Sequence, residues 1–434
     1  MIWNQTYETL AREDLEQVQL ERLQATLNRV VRYVSFYKQS FDDHGVDVED
    51  VKSVRDLARL PFTTKEDLRR SYPYDMFAVP LRDIVRIHST SGTTGLPIVV
   101  GYTKNDLRHW TECTARLLTS AGVTDHDAVQ IAFPLNLFTG GFGFYQGAEQ
   151  IGASVIPSST ETAVRQIRIM KDYKSTVLVC APSFAATVAA ALEEQGLHAE
   201  TLNLRVGLFG SEPWSEALRT QLEGALRLTA LDNYGLTEVI GPGVAGECPE
   251  KQGLHINEDH FIVEVIDPKT LEPVPAGQEG ELVFTTLTKE GFPVIRYRTG
   301  DLSGLLEGPC ACGRTLRRMQ RVARRLDDLI FVQGHKILPS QIEEILLEAE
   351  GTAPHYRIVL DRTAGQDTIE VQVEVLEEFL AIDELKSLER LRDRIAGRLE
   401  AVLGITARVA LVESRSLRQG TGEKLQRIVD RRHR

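Results

Sequence analysis

Ten residues, His88-Ser-Thr-Ser-Gly-Thr-Thr-Gly-Leu-Pro97, gather five hydroxyls and two glycines with no acid, in a chain whose formal net charge is −12. Glycines let successive backbone N–H groups turn inward as an anion nest, and Ser and Thr add rotatable donors. The guest that suits such a loop is a polyphosphate; the competing reading is a Ser/Thr/Gly turn with no ligand. A P-loop is excluded, because Leu96 rather than Lys follows Gly95 and β-branched residues follow where a helix should begin. A second group is Cys248, His255, Cys310 and Cys312, in the pattern Cys-x6-His and Cys-x-Cys. Three thiolates and an imidazole form a closed tetrahedral set suited to structural zinc, with no open position for activating water. Pro249 and Pro309 fit knuckle turns beside the cysteines. Cys-x-x-Cys pairs would be more diagnostic, His260 rivals His255 as fourth ligand, and the alternative is reduced cysteine beside a solvated histidine.

These residues need elements to hold them. Ile84, Val85 and Ile87 before the hydroxyl loop, and Ile98-Val-Val100 after it, predict two short strands. Apolar residues at helical spacing predict a helix over 8–40. Thr103-x-x-Asp106 resembles an N-cap box opening a helix with Leu107, Trp110 and Leu117 on one face. Strands at 128–133, 154–156, 177–180 and 204–209 alternate with helices at 161–173, 183–195 and 214–225, which predicts a parallel α/β sheet. Ligands then belong at the carboxyl ends of the strands, where Gly210-Ser-Glu-Pro213 and Asp232–Glu238 fall. Beyond about residue 255, alternating strands at 261–266 and 281–285 predict a smaller antiparallel region. A compact α+β unit follows, with strands at 329–332, 358–360, 368–375 and 408–412 and helices at 340–349 and 383–402. The fold class is therefore α/β: a large N-terminal α/β domain with an antiparallel β region over 1–326, and a small α+β C-terminal domain over 327–434.

A chain of 434 residues with 42% hydrophobic and 26% charged content is globular and too long for one core. The acidic balance argues against nucleic-acid and anionic-membrane partners. Arg314, Arg317, Arg318, Arg321, Arg324 and Arg325 form a local basic cluster, read as a solvated face. No apolar run reaches membrane-spanning length, the N-terminus does not read as a signal peptide, and five cysteines are no disulfide framework. A cytoplasmic location is the expectation.

Five ordered segments now carry a resemblance: Ser91-Gly-Thr-Thr-Gly-Leu-Pro97, Asn233-Tyr-Gly-Leu-Thr-Glu238, Tyr297-Arg-Thr-Gly-Asp301, Asp327-Asp-Leu-Ile with Gly334-His-Lys-Ile-Leu-Pro-Ser-Gln-Ile-Glu343, and Gly422-Glu-Lys424. Together they resemble the acyl-adenylate-forming superfamily. Leu137-Phe-Thr-Gly-Gly-Phe-Gly143 and Phe284-Thr-Thr-Leu-Thr-Lys289 are similar to its phenylacetate–CoA ligase branch. The resemblance implies two half-reactions. A carboxylate attacks the α-phosphorus of ATP to give an acyl-adenylate and pyrophosphate, and the thiol of CoA then displaces AMP.

The resemblance also implies roles. Ser89, Thr90, Ser91, Thr93 and Thr94, with the N–H groups of Gly92 and Gly95, hold the β and γ phosphates. Glu238, with Thr237 beside it, holds Mg²⁺, a hard cation suited to carboxylate and phosphate oxygens; the bland reading of Glu238 is a helix-start carboxylate. Gly210, Ser211, Glu212 and Pro213 with Asp232, Asn233, Tyr234 and Gly235 make the adenine slot, where Tyr234 stacks. Asp301 accepts from both ribose hydroxyls, although a lone Asp after Gly reads as a turn residue. Lys424 offsets charge on the transferring phosphate, against the ordinary fate of a surface lysine. Asp327 is the hinge, and Gly334, His335 and Lys336 serve the CoA step. The family usually has Gly-Arg two residues before the hinge; this chain has Arg324-Arg325, and the arginine role passes to Arg325, toward the nucleotide. Phe138, Gly140, Gly141, Phe142, Gly210 and Pro242 outline a flat apolar slot for an aryl ring, with core packing as the alternative for either phenylalanine.

The expected activity is an ATP- and Mg²⁺-dependent aryl-acid–CoA ligase for phenylacetate, with structural Zn²⁺ and, from the family, a homodimer. The alternatives are adenylation of another aryl acid such as benzoate or indoleacetate, delivery to another acceptor, and a zinc-stabilised nucleotide-binding module without catalysis. Glu238 and Lys424 together count against the last.

Overall fold

The computed structural model describes residues 1–90, 96–322, 324–326, 330–333, 335–337, 339–349, 351–363, 366–376, 385–413, 416–417 and 427–432. At its centre is a nine-stranded sheet. Five strands run parallel: Ser154–Ile156, Ala128–Ile131, Val177–Cys180, Val206–Gly210 and Thr229–Leu236. The sheet continues antiparallel through Gly241–Glu247, Leu254–Ile256, Arg318–Met319 and Leu305–Leu306.

The parallel strands are buried on both faces, and period-2 alternation sorts their side chains. Val177 and Val179 join Leu208 and Leu231 under the helices Lys104–Ser120 and Thr139–Ile151. Leu178, Cys180, Phe209 and Ala230 face the other way, against Ala163–Tyr173, Pro182–Glu194 and Glu216–Leu226. The Thr103 capping box forms as its sequence predicts, with Thr103 Oγ1 accepting from Asp106 N–H and Asp106 accepting from Thr103 N–H. Asp106 Oδ1 and Oδ2 also accept from the N–H groups of Glu290 and Gly291. One helix start thereby ties the helix to the connection between two strands of the second sheet, Gly280–Thr286 and Tyr297–Ser303.

That second sheet is four-stranded and antiparallel, in the order Phe261–Ile266, Gly280–Thr286, Tyr297–Ser303, Arg324–Arg325. The small unit begins with the hairpin Ile330–Val332/His335–Ile337. It continues as a four-stranded sheet, in the order Arg408–Val412, Gln366–Val375, Thr352–Thr363, Ile428–Asp430, covered by helices Pro339–Leu347 and Leu385–Leu403. Its core is its own: Ile330, Ile342, Ile358, Val371, Leu391, Leu399 and Val409 pack together.

Four expectations change. The helix over 8–40 is two helices, Arg12–Tyr33 and Ser35–Asp43, because Val34 is extended between them. The strand at 358–360 is the middle of a longer one, Thr352–Thr363. Asp301 lies in the strand Tyr297–Ser303 rather than a turn; Gly300 takes a positive φ of 75° and the ladder continues past it. Residues 241–256, rich in Gly and Pro, form two strands that were not foreseen. A register shift between Tyr234 and Gly235 accommodates Pro242, whose carbonyl accepts from Trp110 Nε1–H at 2.9 Å.

Candidate active site

The carboxyl ends of Val206–Gly210 and Thr229–Leu236 open onto one region. Asn233 Nδ2–H donates to Phe209 O at 2.8 Å, which pins the two strand ends together. Ser211 holds a positive φ of 72° where the chain leaves the sheet. Glu212 Oε1 accepts from Ser183 N–H at 2.7 Å, at the start of the Pro182–Glu194 helix. Asp232 does not present a free carboxylate. It accepts from Arg321 Nε–H at 2.9 Å, while Arg321 also donates to Trp214 O and lies 4.3 Å over the Trp214 ring. Burial raises the Asp232 carboxyl, opposed by Arg321. A nucleotide contact from Asp232 therefore falls to its backbone.

Tyr234 and Asp301 meet across the two sheets. Tyr234 Oη donates to Asp301 Oδ2 at 2.6 Å, and its ring stacks on Phe284 at 5.9 Å. Arg325 Nη1 lies 3.0 Å from Asp301 Oδ1 and Nη2 donates to Thr299 O, because Asp301 and Arg325 are cross-strand partners. The arginine before the hinge thus faces the carboxylate assigned to ribose. Arg324, which replaces the family glycine, is its ladder neighbour and pairs with Glu279 instead.

Glu238 lies in the turn after Thr229–Leu236, so the helix-start reading of this carboxylate is set aside. It is buried, and Oε1 accepts from Tyr297 Oη at 3.2 Å. Thr237 Oγ1 is 3.0 Å from Thr139 Oγ1, which joins this turn to the start of the Thr139–Ile151 helix. Phe138 and Phe142 are half-buried, unlike Phe133 and Phe144 nearby, and each packs against a core cluster. A Cβ on Gly143 would lie 2.6 Å from the Pro242 ring and 2.8 Å from Trp110 Nε1, and one on Gly141 would lie 2.8 Å from Pro134 O. The glycines of this segment are the condition for its close approach to the sheet.

The hydroxyl loop is anchored at both ends. Ser89 N–H donates to Leu137 O, Thr90 N–H to Ile98 O, and Ile98 N–H to Thr90 Oγ1, each at 3.0 Å. Ser91, Gly92, Thr93, Thr94 and Gly95 lie outside the described residues, as do Asp327, Gly334 and Lys424. His335 is exposed on its hairpin, and for Lys336 only the backbone is described.

Several contributors were not singled out from sequence. Tyr297 heads a motif that was quoted only for Asp301. His88 is buried edge-on to Tyr102, Trp110 and Phe142, with Nδ1 3.1 Å from Leu137 O. Burial pushes its imidazole down to about 4. Lys289 Nζ sits 3.3 Å over the Tyr102 ring with no hydrogen-bond partner among the described residues, and burial pushes the ammonium down to about 7. A lysine and a histidine met in sequence give no sign of such burial.

The cysteine group assembles away from these residues. The ligand atoms of Cys248, His255, Cys310 and Cys312 all lie within 4.8 Å of one another. Cys248 Sγ is 3.7 Å from Cys310 Sγ, and Cys312 Sγ is 3.3 Å from His255 Nε2. Burial, reinforced by Arg314 and Arg318, pushes His255 down to about 4, so the ring is neutral with a lone pair to offer. Burial pushes the Cys248 thiol up to about 12. At Cys312 burial is outweighed by hydrogen bonds from Arg314, and the thiol is lowered. His260 is no part of the group; its Nδ1 is 2.8 Å from Thr288 Oγ1 and Asp259 lies on its other side.

Comparison with known proteins gives the family. The family described as AMP-binding enzyme matches residues 10–287, and the AMP-binding enzyme C-terminal domain matches 334–432. The chain belongs to the AMP-binding enzyme family. It is 42% identical to the phenylacetate-coenzyme A ligase of Thermus thermophilus, over 100% of both chains. It is also 42% identical to that of Escherichia coli K12, over 98% of this chain and 97% of the other. A 2-hydroxyisobutyryl-CoA ligase crystallised in a postadenylation state superposes with a TM-score of 0.90 at 28% identity, over 99% of this chain and 92% of the other. The same ligase in its thioesterification state gives only 0.73, at the same 28% identity and over 100% and 93% of the chains. At equal identity, the postadenylation form of that ligase superposes on this chain better than its thioesterification form.

Proposed function

We infer that this protein is an ATP-dependent, AMP-forming aryl-acid–CoA ligase acting on phenylacetate. The observation that carries the reading is full-length similarity: four bacterial proteins, each named phenylacetate-coenzyme A ligase, align at 42% identity over 96–100% of this chain. Each step has its candidate residues. The acid lies between the Phe138–Gly143 segment and Pro242. Its carboxylate oxygen bonds to the α-phosphorus of ATP as the bond to pyrophosphate breaks. The Thr90–Gly95 loop holds the leaving pyrophosphate, and the Tyr234–Asp301–Arg325 group holds the ribose. Glu238, oriented by Tyr297, would hold Mg²⁺, which neutralises phosphate charge when bound. Lys424 from the small unit stabilises the transferring phosphate. In the second step the CoA sulfur bonds to the acyl carbon and AMP leaves, with Gly334, His335 and Lys336 serving that step after rotation about Asp327.

Cys248, His255, Cys310 and Cys312 would hold a structural zinc that ties the turn after Gly241–Glu247 to the 307–317 loop. The buried neutral imidazole and the close thiols support this, because a closed four-ligand set leaves no position for water. A homodimer and a cytoplasmic location complete the reading. No helix among the described residues is long and apolar enough to cross a membrane.

Pyrophosphate release over a panel of aryl and fatty acids, with and without CoA, tests the activity. Phenylacetate should give the highest kcat/KM, with thioester formed only when CoA is present. Release without thioester would overturn the ligase reading, and no release with any acid would overturn catalysis altogether. Lys424→Ala should abolish adenylation yet largely spare thioester formation from supplied adenylate.

A further inference from the structure

The two units meet at a buried polar contact that none of the roles above uses. Thr187, in the middle of the Pro182–Glu194 helix of the large unit, places Oγ1 2.8 Å from Nε2 of His355, on the Thr352–Thr363 strand of the small unit. Thr187 is 8% exposed and His355 is 5% exposed. The hydroxyl proton is committed elsewhere, since Thr187 Oγ1–H donates to Ser183 O at 3.1 Å. In the tautomer that carries its proton on Nε2, His355 donates to Thr187 Oγ1 across the boundary. Ser183 in turn donates its N–H to Glu212, in the Gly210–Pro213 loop at the adenine site. A continuous chain, His355 to Thr187 to Ser183 to Glu212, links the small unit to the nucleotide loop. Leu347 of the Pro339–Leu347 helix packs beside this chain against the apolar cluster of Ala185, Val188 and Leu192. Glu343 on the same helix lies within electrostatic reach of Glu212, its charge countered by Arg427 Nη2 at 3.1 Å.

The arrangement that forms this contact is the one matching the postadenylation neighbour at a TM-score of 0.90; the thioesterification arrangement, at 0.73, places the units differently. A bond made in one of two states shifts the equilibrium toward that state by its full differential value. We propose that Thr187 and His355 are a positioning pair that latches the small unit in the adenylate-forming arrangement and so supports the first half-reaction selectively. The pair touches no reacting atom. It acts through the population of the state that brings the small unit over the nucleotide. The proposal rests on the two-step ligase reading.

Thr187→Val keeps shape and volume but removes the acceptor. With wild-type, Thr187→Val and Thr187→Ser enzymes, phenylacetate-dependent exchange of pyrophosphate with ATP reports the first step. Thioester formation from supplied phenylacetyl-adenylate and CoA reports the second. Loss of one buried hydrogen bond predicts an exchange rate for Thr187→Val lower by about 3- to 10-fold. Thioester formation should stay within about 2-fold of wild type or rise, and Thr187→Ser should recover exchange. Equal loss in both steps, or unchanged exchange, overturns the latch. If Thr187→Val does not fold, His355→Leu breaks the same bond from the other side, with the same expectation and the same refutation. Failure of the wild type to exchange pyrophosphate would instead overturn the ligase reading, so the two failures are distinguishable.

Discussion

Tyr234→Phe is the sharpest test of the nucleotide site. It deletes one oxygen, the hydroxyl that donates to Asp301 Oδ2 at 2.6 Å, and leaves the ring on Phe284 in place. Asp301 is 4% exposed, so water does not freely replace the lost donor. Arg325 still holds Oδ1 at 3.0 Å, which keeps the carboxylate paired but free to swing about that contact. A hydrogen bond to a charged group contributes about 1.5–3 kcal/mol, and about 1.4 kcal/mol is tenfold in an equilibrium. The expected loss in kcat/KM for ATP is therefore about 10- to 100-fold, read in the pyrophosphate exchange assay at saturating acid. The KM for acid and for CoA should move by less than about 2-fold, since neither is placed at Asp301. Ribose hydroxyls give the internal control. With 3′-deoxy-ATP the wild type should already have lost part of this binding, so Tyr234→Phe should cost less there than with ATP. If KM for ATP is unchanged in a folded variant, or if the cost is the same with both nucleotides, Tyr234 does not position Asp301 for the ribose.

The remaining predictions concern stability and the metal. Purified protein should carry near-stoichiometric zinc, and Cys310→Ser should lower both zinc content and Tm; a metal-free protein whose Tm is unmoved by chelators would refute the site. His88 is held down to about 4, mainly by burial and further by Arg86 and Lys289, against about 6.5 in an unfolded chain. Its folded form binds fewer protons, so its contribution is complete above the unfolded value and is lost as pH falls toward the folded one. His88→Gln should then lose less urea stability between pH 7 and pH 5 than the wild type does, and an identical loss would refute the assignment. Lys289→Met removes a buried nitrogen that has no hydrogen-bond partner among the described residues, at similar volume, and should leave stability within about 1 kcal/mol of wild type or raise it, whereas Lys289→Ala should cost about 2–4 kcal/mol through the void left beside Tyr102. Equal loss in both variants would show that the ammonium, not the side-chain volume, is what the fold requires.

What could be read from sequence was what local chemistry encodes. Thr103 with Asp106 marked a helix start that forms as expected, whereas His88 and Ser89, read as loop, end the strand Arg86–Ser89. Apolar runs between Gly and Pro marked the parallel strands. The failures have one physical origin. Gly300 beside Asp301 reads as a turn, yet pairing with Glu281–Leu302 and Arg325 carries the strand through it. Pro242 and its glycines read as a loop, yet a register shift lets the chain join the ladder. In each case pairing partners distant in sequence decide the conformation, and propensity does not see them. The same holds for site residues. Trp110 meets Pro242 across 132 positions and Tyr297 meets Glu238 across 59, so their residue types alone could not mark them.

Those long-range joints also explain how one sheet edge can serve two half-reactions. Asp301 and Arg325 belong to the antiparallel sheet, Tyr234 and Glu238 to the end of the central one. Tyr234–Asp301 and Tyr297–Glu238 cross that boundary in opposite directions, the first tyrosine from the central sheet and the second from its neighbour. The two sheets are thereby held to each other at the two carboxylates assigned to ribose and metal. The proposed nucleotide platform accordingly belongs to the large unit. On the proposed two-step reading, motion between half-reactions falls to the small unit, whose core is separate and whose contact with the large unit includes the Thr187–His355 bond. Cross-sheet bonds at the two tyrosines and a breakable polar contact at the boundary are complementary requirements. A platform that deformed with rotation would release the adenylate between steps, and a boundary with many such bonds would hold the small unit in one state.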